Sequence, residues 1–143
     1  MIFDVMQLKE WSGLNPVWLF EVDIVSVYDG DTFTGNIDQG FSDFKVCQKF
    51  RITNMNSKWD TPEIRGSGNQ EKALAMKARD YMTEQLGSRA VVYSHQGTGM
   101  YGRWLVTPFN YDTGTNICDQ MNELGLSRNY SSSKRPEWSF NEK

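Results

Sequence analysis

The chain is patterned in short runs of two different periods. Trp18 to Val27 is rich in β-branched and aromatic residues and predicts a strand. Asp29-Gly30 is a strong turn signal, Thr32 to Ile37 predicts a second strand, and Gly40 marks another turn. In Phe44 to Thr53 the apolar residues Phe44, Val46, Phe50 and Ile52 fall on even positions, the period of a half-buried strand. These three runs predict an antiparallel meander. Asn54 to Gly68 has no period and predicts a long loop, a kind of segment that often carries function. From Gln70 to Leu86 the period becomes helical. Leu74, Ala78, Tyr81, Met82 and Gln85 share one face, and that Met and Tyr stripe is read as core packing. Asn69 or Ser67 is placed to cap this helix and Gly87 to end it. Ala90 to Ser94 and Arg103 to Phe109 predict two more strands around a glycine-rich turn, Gly97 to Gly102. After a turn at Asp112-Thr113-Gly114, Asn116 caps a second helix that runs to Leu124 and stops at Gly125. A short helix over Asp4 to Trp11 is expected ahead of the first strand.

The order is three strands, a helix, two strands and a helix. That order predicts an α+β, mainly β fold: a five-stranded OB-fold barrel with two main helices. One domain is expected over residues 1–130, with its core in 17–130. The polar tail from Ser131 to Lys143 is expected to be flexible, with Trp138 and Phe140 able to dock back. A length of 143 residues suits a single core, and 23% charged residues is ordinary for a globular chain. No apolar run reaches the ~18 residues that a membrane span needs. Met1 to Gly13 mixes Asp4, Lys9 and Glu10 into its apolar residues and does not read as a secretory signal; an intracellular protein is expected, the alternative being a leader removed before this numbering begins. Cys47 and Cys118 fit no zinc spacing and are expected as buried free thiols.

The net charge of -3 changes the picture of possible partners. Proteins that hold nucleic acid by charge alone are usually basic. Here nucleic-acid binding would need a local cationic patch or a metal ion, which suits a monomer in a brief catalytic encounter. The single histidine, His95, excludes two-histidine mechanisms and histidine-rich metal centres. It is expected at the surface, at the end of a strand. A hydrolase built from this chain must work with carboxylates, arginines and a hard cation.

Such residues stand at sharp points of the backbone. Asp29-Gly30-Asp31-Thr32 sets two carboxylates around a glycine turn, and Asp60-Thr61-Pro62-Glu63 sets two more in the long loop. Arg51 lies late on the third strand, and Tyr101-Gly102-Arg103 leads into the fifth. Two aspartates, a backbone carbonyl and waters suit calcium, which prefers several oxygen ligands. Guanidinium forks match the oxygens of a phosphodiester under attack, and a carboxylate such as Glu63 can activate water. Singly, each motif is weak. A DGD turn is commonly plain turn chemistry and DTPE a capped loop.

Taken in order, Asp31-Thr32, Arg51, Asp60-Thr61-Pro62-Glu63 and Tyr101-Gly102-Arg103 resemble the staphylococcal nuclease (thermonuclease) family over roughly Val22 to Tyr130. The resemblance implies calcium-dependent cleavage of DNA, and often RNA, with little sequence preference. It implies Asp31, Asp60 and the Thr61 carbonyl as metal ligands, and Glu63 as the group handling the attacking water. It places Arg51 and Arg103 on the phosphate, and Tyr101 and Tyr130 near the bound nucleotide. One departure stands out: the segment from Ile52 to Trp59 is longer than the family usually has between the strand arginine and the DTPE aspartate. The reading adopted is an outward bulge with both ends in place, in which Lys58 and Trp59 could touch substrate. The alternatives are that Trp59 packs on the barrel, or that the register shifts and brings Asn56 to the metal. Three rival functions remain. One is a catalytically inactive binding module for nucleic acid or protein. The second is a nuclease using a Glu-x-Lys pair, whose nearest match is Glu63-Ile64-Arg65. The third is an assembly or packaging component.

Overall fold

The computed structural model describes residues 18–38, 44–64, 68–99, 102–131 and 138. Five strands close into a barrel: β1 (Leu19–Asp29), β2 (Thr32–Asp38), β3 (Phe44–Ile52), β5 (Arg89–Thr98) and β6 (Trp104–Asn110). Around the barrel the order is β1-β2-β3-β6-β5, and β5 returns to β1. Every contact is antiparallel except β3 with β6, which run parallel and close the barrel. This is the expected OB-fold-like barrel. Closure leaves none of its five strands as an open edge.

Inside the barrel, Val22, Phe33, Phe50, Ile52, Val92 and Val106 form the core, with Phe33 and Phe50 stacked at 5.1 Å. Helix α1 (Asn69–Leu86) lays Ala75, Ala78, Met82 and Leu86 on that core. The expected face is therefore rotated: Leu74, Tyr81 and Gln85 are half-buried flanks. The N-cap is Gly68 without a side-chain bond, instead of Asn69 or Ser67, and Ser67 lies outside the described residues. Gly87 does end α1, at φ 60°, with its N–H on the Thr83 carbonyl. Helix α2 (Ile117–Glu123) begins as expected, with the Asn116 side chain accepting from the Asp119 N–H. Gly125, at φ 74°, follows it. The expected helix at Asp4 to Trp11 and the Gly40 turn lie outside the described residues.

The largest departure falls in the long loop. Asn54 to Ser57 close a tight turn, with Asn56 at φ 60°, and the chain then forms β4 (Lys58–Asp60). β4 pairs antiparallel with β7 (Arg128–Tyr130), a ribbon separate from the barrel. A buried amide pins the turn. Asn54 Nδ2 donates to Asp119 and Asn129, and its Oδ1 accepts from Asn116 Nδ2 and the Met55 N–H. Trp59 is 1% exposed and joins the core, with its indole N–H on Asn122 at 3.0 Å. So the added residues form a ribbon stitched to α2.

Two smaller expectations also change. Cys118 is buried, and burial pushes its thiol up, but Cys47 is exposed. His95 lies within β5, half-buried, because that strand runs on to Thr98. Thr107 donates to the Thr53 carbonyl at 2.5 Å, so it accepts from His95 Nε2 at 2.8 Å. That fixes the Nε2–H tautomer, and burial lowers the His95 pKa.

Candidate active site

The turn between β1 and β2 gathers four of the predicted elements. Thr32 pairs with Arg51 across β2 and β3, and the Ile52 N–H bonds the Asp31 carbonyl at 2.8 Å. Phe50 and Ile52 point into the core, so Arg51 between them points out. Its guanidinium forms an ion pair with Asp31 Oδ2, while Asp31 Oδ1 accepts from the Thr32 hydroxyl at 3.1 Å. Arg103 comes from the loop before β6 and places Nη1 3.2 Å from the same hydroxyl. Two arginines distant in sequence thus meet one two-residue turn. β3 and β6 lie side by side and bring both to it.

Asp29 stands on the other side of Gly30. The Asp31 N–H bonds its Oδ1 at 3.2 Å, and the two carboxyl groups interact directly. Burial, a hydrogen bond with Asp31 and repulsion by its charge push the Asp29 pKa up to about 8. Burial works against charge on Asp31 too. There the hydrogen bond with Asp29, the Arg51 guanidinium and the Thr32 hydroxyl outweigh it and hold the pKa below the ordinary value. One proton therefore sits between two carboxylates at neutral pH, on the Asp29 side.

The second motif abuts the first. A Cβ built on Gly30 would fall 2.9 Å from the Thr61 methyl, so only glycine lets the DTPE segment approach this closely. Thr61 and Pro62 are both buried. Of this segment, Thr61 thus reaches the turn, while the inserted residues before it fold inward onto α2 instead of bulging outward. Asn56 is exposed in the tight turn closed by Asn54 and Ser57.

Asp60 and Glu63 take different positions. Asp60 is fully buried, and its Oδ2 accepts from Arg128 at 3.2 Å and from the Trp138 indole at 2.7 Å. Arg128 also lies 4.1 Å from the centroid of that indole ring. Trp138 thus docks, as the sequence allows, while Phe140 lies outside the described residues. Glu63 is exposed, and its backbone N–H donates to Glu71 Oε2 at 3.0 Å. Glu71, in the first turn of α1 and only 8% exposed, thereby ties the Glu63 segment to the helix. Lys58 and Tyr130 face each other across the β4–β7 ribbon at 5.8 Å, beside the Asp60–Arg128 pair. The Trp59 ring is inside, so it offers no stacking platform, which corrects that expectation. Tyr101 lies outside the described residues.

Sequence reasoning missed Glu71, Arg128 and the proton shared by Asp29 and Asp31. Only the last has a local signal, two aspartates around one glycine. Arg128 acts on a segment distant in sequence, and Glu71 reaches back across the segment that precedes its helix.

Calcium fits the donors here in kind. Asp29, Asp31 and Thr61 are hard oxygen donors gathered at one turn. Among the described residues no three His, Cys, Asp or Glu side chains cluster as a ready ligand set, because Asp60 turns Oδ2 toward Arg128 and Trp138. No helix among them is long and apolar enough to cross a membrane. Neither a protein-family model nor a curated protein matches the chain.

Proposed function

We propose that this chain is a calcium-assisted endonuclease that hydrolyses phosphodiester bonds in DNA, and in RNA by the same chemistry, with low sequence preference. The observation that carries this reading is the meeting of Arg51 and Arg103 on the Asp31–Thr32 turn. Two guanidiniums at one point suit a phosphate, whose charge grows on its equatorial oxygens during attack. Contacts of that kind read the backbone and leave base sequence unread.

Asp31, Asp60 and the Thr61 carbonyl would hold calcium, with Asp29 releasing its proton as the ion enters. Bound there, calcium would supply positive charge to the phosphate and to the attacking water. Arg51 and Arg103 would orient the diester and neutralise its added charge. Glu63, exposed and tied to α1 through Glu71, would take the proton of the attacking water. A bond forms from that water oxygen to phosphorus as one ester oxygen leaves. The leaving oxygen takes its proton from solvent, since an arginine with a pKa above ~12 does not release one.

The test is cleavage of supercoiled plasmid with calcium and with a chelator, beside Glu63→Gln and Arg103→Ala. Metal-dependent cutting, reduced ~10²-fold or more in both variants, is the expected result. Wild-type rates in both would sink the site assignment. Restoration by magnesium alone would argue for a different metal site, because magnesium demands a tighter octahedron.

One observation favours a second reading, a binding module without catalysis. Asp60, a ligand in the first reading, is fully buried against Arg128 and Trp138. A protein that binds nucleic acid and cuts none with any divalent ion would establish that reading.

A further inference from the structure

A groove of about 540 Å³ opens beside the Arg103–Thr32 contact, along the outer face of β1, β2 and β3. Its wall is laid out in rows by the strand register. Ser26, Thr34 and Lys49 lie side by side across the three strands, and the next row holds Asp29, Thr32 and Arg51. Phe33, Phe50 and Ile52 point inward, so Thr32, Thr34, Lys49 and Arg51 share the outer face. Lys49 and Arg51 are two residues apart on β3, which sets them ~7 Å apart along the strand. That is comparable to the separation of neighbouring phosphates in an extended nucleic-acid strand.

The rim of the groove carries an aromatic ring. Between Val27 and Asp29 the β1–β2 register shifts, and Tyr28 is the extra residue. A bulge of this kind re-aims a side chain. Tyr28 is 60% exposed, and it is the most exposed of the large hydrophobic residues described. An acidic chain with net charge -3 shows here a cation, the three hydroxyls of Ser26, Thr32 and Thr34, and an open ring beside its arginine pair.

We propose that this groove is a subsite for the nucleotide next to the scissile phosphate on a single-stranded substrate. Lys49 takes the adjoining phosphate, and the base stacks on Tyr28. A duplex would keep its bases paired and away from the ring, so the subsite selects unpaired strands. The inference rests on the nuclease reading for what happens at Arg51 and Arg103, but binding in the groove is measured apart from cleavage.

The experiment is fluorescence anisotropy of a labelled oligothymidylate of about eight nucleotides, a length within the range one such barrel covers. It is run in chelator over a series of salt concentrations, with the full chain, Tyr28→Ala, Tyr28→Phe and Lys49→Gln. Tyr28→Ala is expected to weaken binding ~10-fold and Tyr28→Phe to retain it, because the ring and not the hydroxyl stacks. Lys49→Gln is expected to lower the salt slope by roughly 0.7, the loss of one phosphate contact. With inorganic polyphosphate as the probe, Lys49→Gln should weaken binding and Tyr28→Ala should not. Wild-type affinity and salt slope in both Tyr28→Ala and Lys49→Gln, or equal losses by Tyr28→Ala on both probes, would overturn the subsite. Wild-type protein that binds with these sensitivities and never cuts would retire the nuclease reading and keep the groove. Cutting by a protein indifferent to both substitutions would do the reverse.

Discussion

Two buried aspartates in this molecule each meet an arginine, and their surroundings differ. Asp31 pairs with Arg51 in the barrel wall, where a second carboxylate, Asp29, is pressed against it and is pushed toward its protonated form. Asp60 pairs with Arg128 on the β4–β7 ribbon, where the second neighbour is a donor, the Trp138 indole. The first cluster has an excess of acceptors and a second arginine reaching in from Arg103. In the second, two donors converge on one oxygen. A crowded pair of carboxylates has something to gain from a cation, whereas a carboxylate already met by donors gains less. The same pair of residue types thus makes a candidate reaction centre in one place and a clamp in the other.

The largest effect that would sharpen this contrast is expected from Arg51→Ala. It leaves Asp31 buried beside Asp29 without its guanidinium. We expect a loss of roughly 2–3 kcal/mol, below the full figure for a buried pair because Arg51 is partly exposed, together with loss of cleavage. Thermal melting and plasmid nicking read the two, and a variant as stable and active as wild type would break the comparison.

Arg128→Ala should cost less, about 1–2 kcal/mol, since the Trp138 N–H remains on Asp60. Cleavage by the folded variant should stay within a few-fold of wild type. A loss as deep as that of Arg51→Ala would move Arg128 into the reaction centre.

The third expectation concerns pH, measured in chelator. The Asp29 pKa is raised from 3.8 to about 8 in the fold, so between those values the folded chain binds the extra proton. Its contribution to stability therefore falls as pH rises through that window. Asp29→Asn, which cannot ionise, should lack that downward slope. Denaturant melts of both proteins at pH 5 and pH 8 compare them; parallel behaviour would show that the two carboxylates do not share a proton.

The smallest effect is expected from Trp138→Phe. It keeps a ring against Arg128 and removes the N–H from Asp60. Stability should fall by ~1 kcal/mol or less, while calcium titrated by calorimetry should bind several-fold more tightly as Asp60 is released. Unchanged affinity would mean that calcium does not use Asp60.

Much of the barrel was legible because each of its signals is local. Alternation in Phe44 to Thr53, the Asp29-Gly30 turn, the Asn116 cap and the glycines after both helices are decided by residues a few positions apart. Order alone then predicted an OB-fold-like barrel. The β4–β7 ribbon was not legible. Its strands are short, and what holds them is Asn54 reaching Asp119 and Asn129, more than 60 residues away.

By itself, then, the sequence determined the strand and helix periods, the turns, the two arginines and the two acidic motifs. Tertiary structure alone decided that Thr61 seats on Gly30, that Arg51 and Arg103 reach one turn, and that Trp59 faces the core. It also decided that Asp29 keeps its proton while Asp60 faces an arginine and an indole. Periodicity and turns follow from bonds between near neighbours. Burial, charge crowding and the partner of a carboxylate depend on which distant segments the closed barrel brings within hydrogen-bond reach.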